Sequence, residues 1–262
     1  MQHVVGVDRL DRGEVGGSGV ADRDHGGIIA RVFAGCLLLF AWPALAKAPD
    51  LGQAERLIAR RTNEFRAEQG LGGLEPDAAL TAVAQAFAEY MARTDRYGHA
   101  ADGRQPSERA EARGYRYCSV AENISYQFNS ESFATEELAR RFVEGWKDSP
   151  GHRRNMLNPH AVHMAAAVTQ SSRTGRFYGV QMFGRPREAS IEFRIANRAR
   201  TQVRYRVGDE AFSLAAGQER VHTVCAPPEV TFANAEGGPF RPQAGERLRV
   251  EGDRRLVVKS ER

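Results

Sequence analysis

Between residues 99 and 155 the chain gathers side chains able to move protons, bind metals or accept hydrogen bonds: His99, Asp102, Glu122, Asn123, Glu144, Asp148, Ser149, His152 and Asn155. His99 stands in YGHAADGR just past a helical stretch, with Asp102-Gly103 forming a tight turn. Glu122-Asn123 follows the apolar run Tyr117-Cys118-Ser119-Val120-Ala121 and reads as part of a polar loop. Ser149-Pro150-Gly151-His152 turns the chain, so that His152 opens a short helix, SPGHRRNML. Polar clusters in the loops of a helical domain are functional candidates. Two histidines and a glutamate brought together can do three things. His99, His152 and Glu122 can hold zinc with an open position. They can act as a general acid/base pair whose carboxylate fixes a histidine tautomer. Or they can be a hydrogen-bonded network that ties loops together. A Ser149/His152 nucleophile pair is disfavoured, because Ser149 precedes a proline and no third group orients the histidine.

The elements that must position these residues follow from periodicity. Residues 53–69 place Leu57, Ile58, Arg61 and Phe65 at helical spacing, and Gly70 ends that helix. Asp77 is the expected N-cap of a second helix with Leu80, Val83, Ala84, Phe87 and Met91 on one face. A short helix is expected from Ser107 to Arg113, introduced by Pro106 and closed by Gly114. The stretch ATEELARRFVEGWKDS predicts a fourth helix, stopped at Pro150. Strands are expected at His163 to Gln170 and Arg176 to Phe183, and Pro186 marks a boundary. Beyond it the period becomes two, as in Gln202 to Val207 and Arg247 to Val250, so residues 188–262 read as a small all-β module of about six strands. His222 in that module is expected to be a satisfied surface or edge histidine.

At 262 residues, with 42% hydrophobic and 27% charged side chains, the chain is an ordinary globular one, neither disordered throughout nor built of many membrane spans. Its net charge of +4 does not point to nucleic acid: only Lys47, Lys147 and Lys259 are lysine, and the arginines alternate with acids instead of clustering. Residues 1–27 read as a disordered or mis-started extension. Residues 28–46 have the three regions of a signal peptide: Arg31, the apolar run from Val32 to Trp42, and Ala44-Leu45-Ala46 as a cleavage site. Cys36 offers a lipidation alternative, but the apolar run continues past it. The expectation is a secreted or periplasmic protein cleaved near Ala46, with no stable membrane span. In an oxidising compartment Cys118 and Cys225 can pair or remain separate thiols, and without a CxxC they cannot build a zinc–cysteine cluster.

The stretch from about residue 53 to 185 resembles the CAP domain of cysteine-rich secretory proteins, antigen 5 and pathogenesis-related proteins, in its bacterial form. The resemblance rests on Asn63 and Arg66, YGHAADGR, Arg109, Gly114-Tyr115, AENI at 121–124, GWKDSPGHRRNML and YGVQMFGRP, in that order. It implies an α+β fold over residues 50–186, an α/β/α sandwich with a central antiparallel sheet, together with secretion and a cleft lined by histidines and acids. His99 matches the first cleft histidine, and Glu122 the glutamate of the family's GEN motif. Ser149 stands where eukaryotic members have a second glutamate, and no GHxTQ strand is present. His152 is the nearest substitute for the second histidine, with Ser149 and Asn155 beside it and Glu144 on the other side of Trp146. The implied function is a binding or interaction module for a protein, lipid or envelope ligand, whose cleft takes a divalent cation (zinc) or a small apolar ligand. The alternative is a metal-assisted hydrolase of envelope or peptide material. The β-module lies outside the resemblance.

Overall fold

The computed structural model describes residues 4–5, 48–233, 235–236, 238–252 and 256–261. The expected signal segment and Cys36 lie outside them. Within the N-terminal extension, a two-residue strand β1 (Val4–Val5) runs parallel to Val120 and Ala121.

Helix α1 (Leu51–Glu68) starts where the Asp50 side chain accepts the Gln53 N–H at 2.9 Å. After a short strand β2 (Glu75–Pro76), Asp77 caps helix α2 (Ala78–Thr94) through the Leu80 N–H. Helix α3 (Pro106–Ala112) begins on its proline, and the Glu108 carboxylate reaches back to the Gln105 N–H at 2.6 Å. Strand β3 (Tyr117–Gln127) follows, then α4 (Thr135–Asp148) and α5 (Pro150–Met156), with Ser149 alone between the two helices. Strands β4 (His163–Gln170) and β5 (Phe177–Pro186) complete this part. The sheet order is β1-β3-β5-β4-β2, with β3, β5 and β4 antiparallel.

Two cores sandwich that sheet. On one face Leu57, Ile58, Phe65, Phe142, Trp146 and Met156 from α1, α4 and α5 pack on Ala121, Met164 and Phe183. On the other, Leu80, Phe87 and Met91 of α2 and Ala110 of α3 pack on Ile124, Val180 and Met182. The packing is close enough to require glycine at 179, where a Cβ would collide with the Phe142 ring. The α/β/α architecture expected from the resemblance is therefore present.

A 3₁₀ turn (Arg187–Ala189) leads to eight further strands: β6 (Ile191–Asn197), β7 (Val203–Val207), β8 (Glu210–Leu214), β9 (Glu219–Val224), β10 (Val230–Phe232), β11 (Ala235–Glu236), β12 (Arg247–Glu251) and β13 (Leu256–Glu261). They form a three-stranded sheet, β10-β7-β8, and a five-stranded sheet, β11-β13-β12-β6-β9. The two sheets share one core that includes Phe193, Ile195, Tyr205, Leu214, Val230, Leu248 and Val250. The sequence suggests about six strands. The difference includes β10 and β11, three and two residues long, which are too short to show a period. His222 does sit on the edge strand β9, but it is not a surface group. Its ring stacks on Phe193 with 5.2 Å between centroids, and its Nε2 shares a 2.9 Å hydrogen bond with the Tyr205 hydroxyl. Burial lowers its pKa and keeps it neutral.

Cys118 and Cys225 are joined by a disulfide, with their Cα atoms 5.4 Å apart. The pairing of β3 with β5 shifts register between Tyr117 and Ser119, leaving Cys118 as the irregular position. A bulge there re-aims one side chain out of the ladder, and it ties the β-module to β3 four residues from Glu122. Among the described residues, no helix is long and apolar enough to cross a membrane.

Candidate functional site

Glu122 and Asn123 do not lie in a loop as the sequence suggested. They stand in the middle of β3 and project to opposite faces of the sheet. Helices cover both faces there, so β3 lacks the polar/apolar alternation that identifies a half-exposed strand.

On the α2/α3 face the Glu122 side chain is fully buried, and both its oxygens are engaged. Oε1 lies 2.8 Å from His99 Nδ1, and Oε2 accepts from Arg109 Nη2 at 2.7 Å. A carboxylate requires a donor, so His99 carries its proton on Nδ1, and in the neutral ring Nε2 is the acceptor. Arg109 is the hub of this side. Its Nη1 donates to Asp102 Oδ1 and to the Arg104 carbonyl, each at 2.8 Å, and Nη2 also donates to the His99 carbonyl at 2.9 Å. Its guanidinium lies 3.6 Å from the centroid of the Phe87 ring. The turn from Gly98 to Arg104 therefore wraps around one arginine, helped by Gly103 at φ +81°. In the sequence Arg109 enters only as part of the resemblance, with no role in the site. Its one signal was its position on a short helix that begins two residues after the His99 loop.

On the opposite face Asn123 organises α5. Its Nδ2 donates to Gln181 Oε1 at 3.1 Å and to the His152 carbonyl at 3.2 Å. Asn155 Nδ2 donates to Asn123 Oδ1 at 2.9 Å and to the Glu122 carbonyl at 3.3 Å. From α1, Arg66 Nη1 donates to the carbonyls of Met156 and Asn158 at 2.7 and 2.9 Å, fixing the far end of α5. Asn123 is fully buried, which closes its NIS sequence to glycosylation.

His152 is held by its main chain while its ring is left unsatisfied. Its Nε2 is buried and has no hydrogen-bond partner among the described residues. Burial, and secondarily the neighbouring His99, lowers its pKa to about 4. At neutral pH the ring is uncharged.

The structure thus gathers His99, Asp102, Glu122, His152 and Asn155 around β3 and α5. Glu144 is not among them. It lies on the exposed side of α4, 3.3 Å from Lys147, while Leu138, Phe142 and Trp146 occupy the buried side. Asp148 is exposed at the end of α4. Ser149 is the half-buried junction of α4 and α5, and no hydrogen bond joins it to His152 among the described residues. Nor, among those residues, is any group of three or more His, Cys, Asp or Glu side chains placed to hold a metal ion. Glu122 departs from the expected ligand role for a physical reason: Arg109 and His99 already saturate it.

Residues 59–183 match the model of the CAP family, the cysteine-rich secretory proteins. This stretch is a CAP domain. The chain is similar to the uncharacterized protein YkwD of Bacillus subtilis, 26% identical over 132 residues, covering 50% of this chain and 47% of that protein. The uncharacterized membrane protein YlbC of the same species is 29% identical over 125 residues, covering 47% of this chain and 34% of that protein. The chain spans less than half the length of these two relatives. Among solved structures, the chain is similar to an outer surface protein of Borrelia burgdorferi with a TM-score of 0.45 at 19% identity, over 51% of this chain and 93% of that one.

Proposed function

We propose that the CAP domain is an exported binding module whose cleft presents the Nε2 of His152, beside His99, to one ligand, a divalent cation such as zinc. The observation that carries this reading is the buried, unpartnered Nε2 of a histidine kept neutral. An orphaned polar atom of this kind costs about 1–3 kcal/mol, and a cation that accepts its lone pair recovers that cost. Glu122 fits the same reading as the carboxylate behind His99, fixing the proton on Nδ1 and with it the orientation of the ring. Two imidazoles leave the remaining coordination positions open, so a bound cation supplies a site for an anionic or carbonyl group of a partner. The donor set suits zinc better than calcium or magnesium, which prefer oxygen ligands. A small apolar molecule is the other ligand the cleft could take.

Export is supported by the apolar run and small-residue site at 44–46, and by a disulfide that persists in oxidising compartments. For the hydrolase alternative, the two required parts would be an activated nucleophile and a third firm ligand, and the side chains around His152 favour neither.

Zinc titration of the exported protein by calorimetry tests the proposal. A saturable heat is expected that disappears in His152→Ala at a kept melting temperature, and in His99→Ala at a lowered one, because Glu122 Oε1 then loses its donor. An unchanged heat in the His99→Ala/His152→Ala double variant would refute the cation reading.

A further inference from the structure

The two sheets of the β-module carry charge differently on their outer faces. On the outer face of the five-stranded sheet Arg194, Arg247 and Arg249 each have an acid beside them. Arg194 and Arg247 share Glu219 at 3.9 and 3.1 Å, Arg249 meets Glu251 and Glu261 at 2.6 and 3.0 Å, and Lys259 meets Glu251 at 2.7 Å. On the three-stranded sheet the central strand β7 turns Arg204 and Arg206 outward, because Val203, Tyr205 and Val207 fill the core. The register sets Arg206 between Ala211 of β8 and Thr231 of β10. Arg204 lies opposite Ser213, and its carbonyl accepts the Ala233 N–H on the other side. Neither arginine pairs with a carboxylate among the described residues. Arg206 donates to the Asp209 carbonyl, while Glu210 has the inward parity of β8 and acts on His222. The small side chains on both flanks leave a trough of about 440 Å³ over this face.

We propose that this face binds a linear polyol-phosphate polymer, a phosphodiester chain without bases. Alternate residues of a strand stand about 6.5 Å apart, so the two guanidinium groups can engage separate charges along one extended polyanion. Each offers a planar fork that matches two phosphate oxygens, and the hydroxyls of Ser213 and Thr231 add donors beside them. The floor between is small enough for a chain without bulky substituents, none of the outward strand positions is acidic, and Glu229 at the margin is 3.4 Å from Arg241. Nucleic acid fits less well. Single strands bind on aromatic platforms that stack bases, and here Phe212 and Phe232 are half-buried and already pack on Tyr205.

The test is binding of the exported protein to immobilised poly(glycerol phosphate). Two released counterions, each contributing about 0.7 to the salt exponent, predict an affinity that falls about sevenfold between 50 and 200 mM salt. Arg204→Ala/Arg206→Ala should weaken binding by about tenfold or more, at unchanged melting temperature. Arg194→Ala/Arg247→Ala, whose charges are compensated, should bind like the parent. If the first variant unfolds, Ala211→Glu/Ser213→Glu places an acid opposite each arginine without touching the core and should abolish binding. The proposal is overturned by parental affinity in those variants, by no binding to the polymer at all, or by equal binding of single-stranded DNA or polyglutamate of matched length.

Discussion

The Glu122 carboxylate on β3 and the His152 Nε2 on α5 are both withdrawn from water, and the protein treats them oppositely. Glu122 is fully buried, and each carboxylate oxygen has its own donor. His152 reaches the same strand through the Asn123 amide, yet its Nε2 is buried with no partner among the described residues. Buried polar groups in folded proteins are nearly always satisfied, so an exception marks either stored strain or a place kept for something else. The difference separates an anchor from a recipient. Glu122 belongs to the architecture, pinning the His99 turn to β3 through Arg109. His152 carries a cost that the architecture does not need.

That contrast can be broken first at its stronger end. Glu122→Ala leaves the buried Arg109 guanidinium with Asp102 as its remaining carboxylate and strips His99 Nδ1 of its acceptor, and should destabilise by about 3–5 kcal/mol in chemical denaturation. A loss below about 1 kcal/mol would mean that the Glu122 network is no anchor. Next in size, Cys118→Ser/Cys225→Ser frees a link across 107 residues and should cost about 2–4 kcal/mol. Because Cys118 lies in β3, a sensitive readout is the His99 ring resonance, which should move when the bulge relaxes.

At the weak end, His152→Ala removes an unsatisfied atom instead of a satisfied one. Stability should change by no more than about 0.5 kcal/mol, while zinc binding is lost. A large destabilisation would make His152 a second anchor and erase the distinction. The same residue also shapes the pH profile. The folded-state pKa of His152 lies at about 4, below its ordinary value of 6.5. Between those two values the unfolded chain takes up a proton that the native ring refuses, so stability falls as pH drops through that window. His152→Ala should flatten this slope and leave the profile above pH 6.5 unchanged.

Much of this arrangement is legible in the sequence, and the rest is hidden for identifiable reasons. Helix α2 is announced by Asp77 and its apolar stripe, α3 by Pro106, and β4 by its bounds at His163 and Gln170, because caps, breakers and periodicity are local. Strand β3 is concealed, since burial on both faces erases alternation and the polar pair Glu122-Asn123 imitates a loop. Glu144 looks close to the site in sequence, but helical geometry turns it away from the face that carries Trp146. Arg109 is inconspicuous in sequence because its importance comes from four partners, three of them in the preceding turn and one on β3. The uncompensated pair Arg204 and Arg206 is invisible in a chain whose arginines alternate with acids, until the register assigns each one to a sheet face.

The central claim is that His152 is a neutral imidazole held ready for a ligand beside His99. Nitrogen-15 spectroscopy of the histidine rings, followed from pH 7 to pH 3.5 with and without zinc, tests it directly. The account predicts a His152 ring that stays neutral down to pH 5, titrates near pH 4, and shifts at Nε2, together with His99 Nε2, when zinc is added at pH 7. A His152 ring that titrates near 6.5 and does not respond to zinc at Nε2 would contradict it.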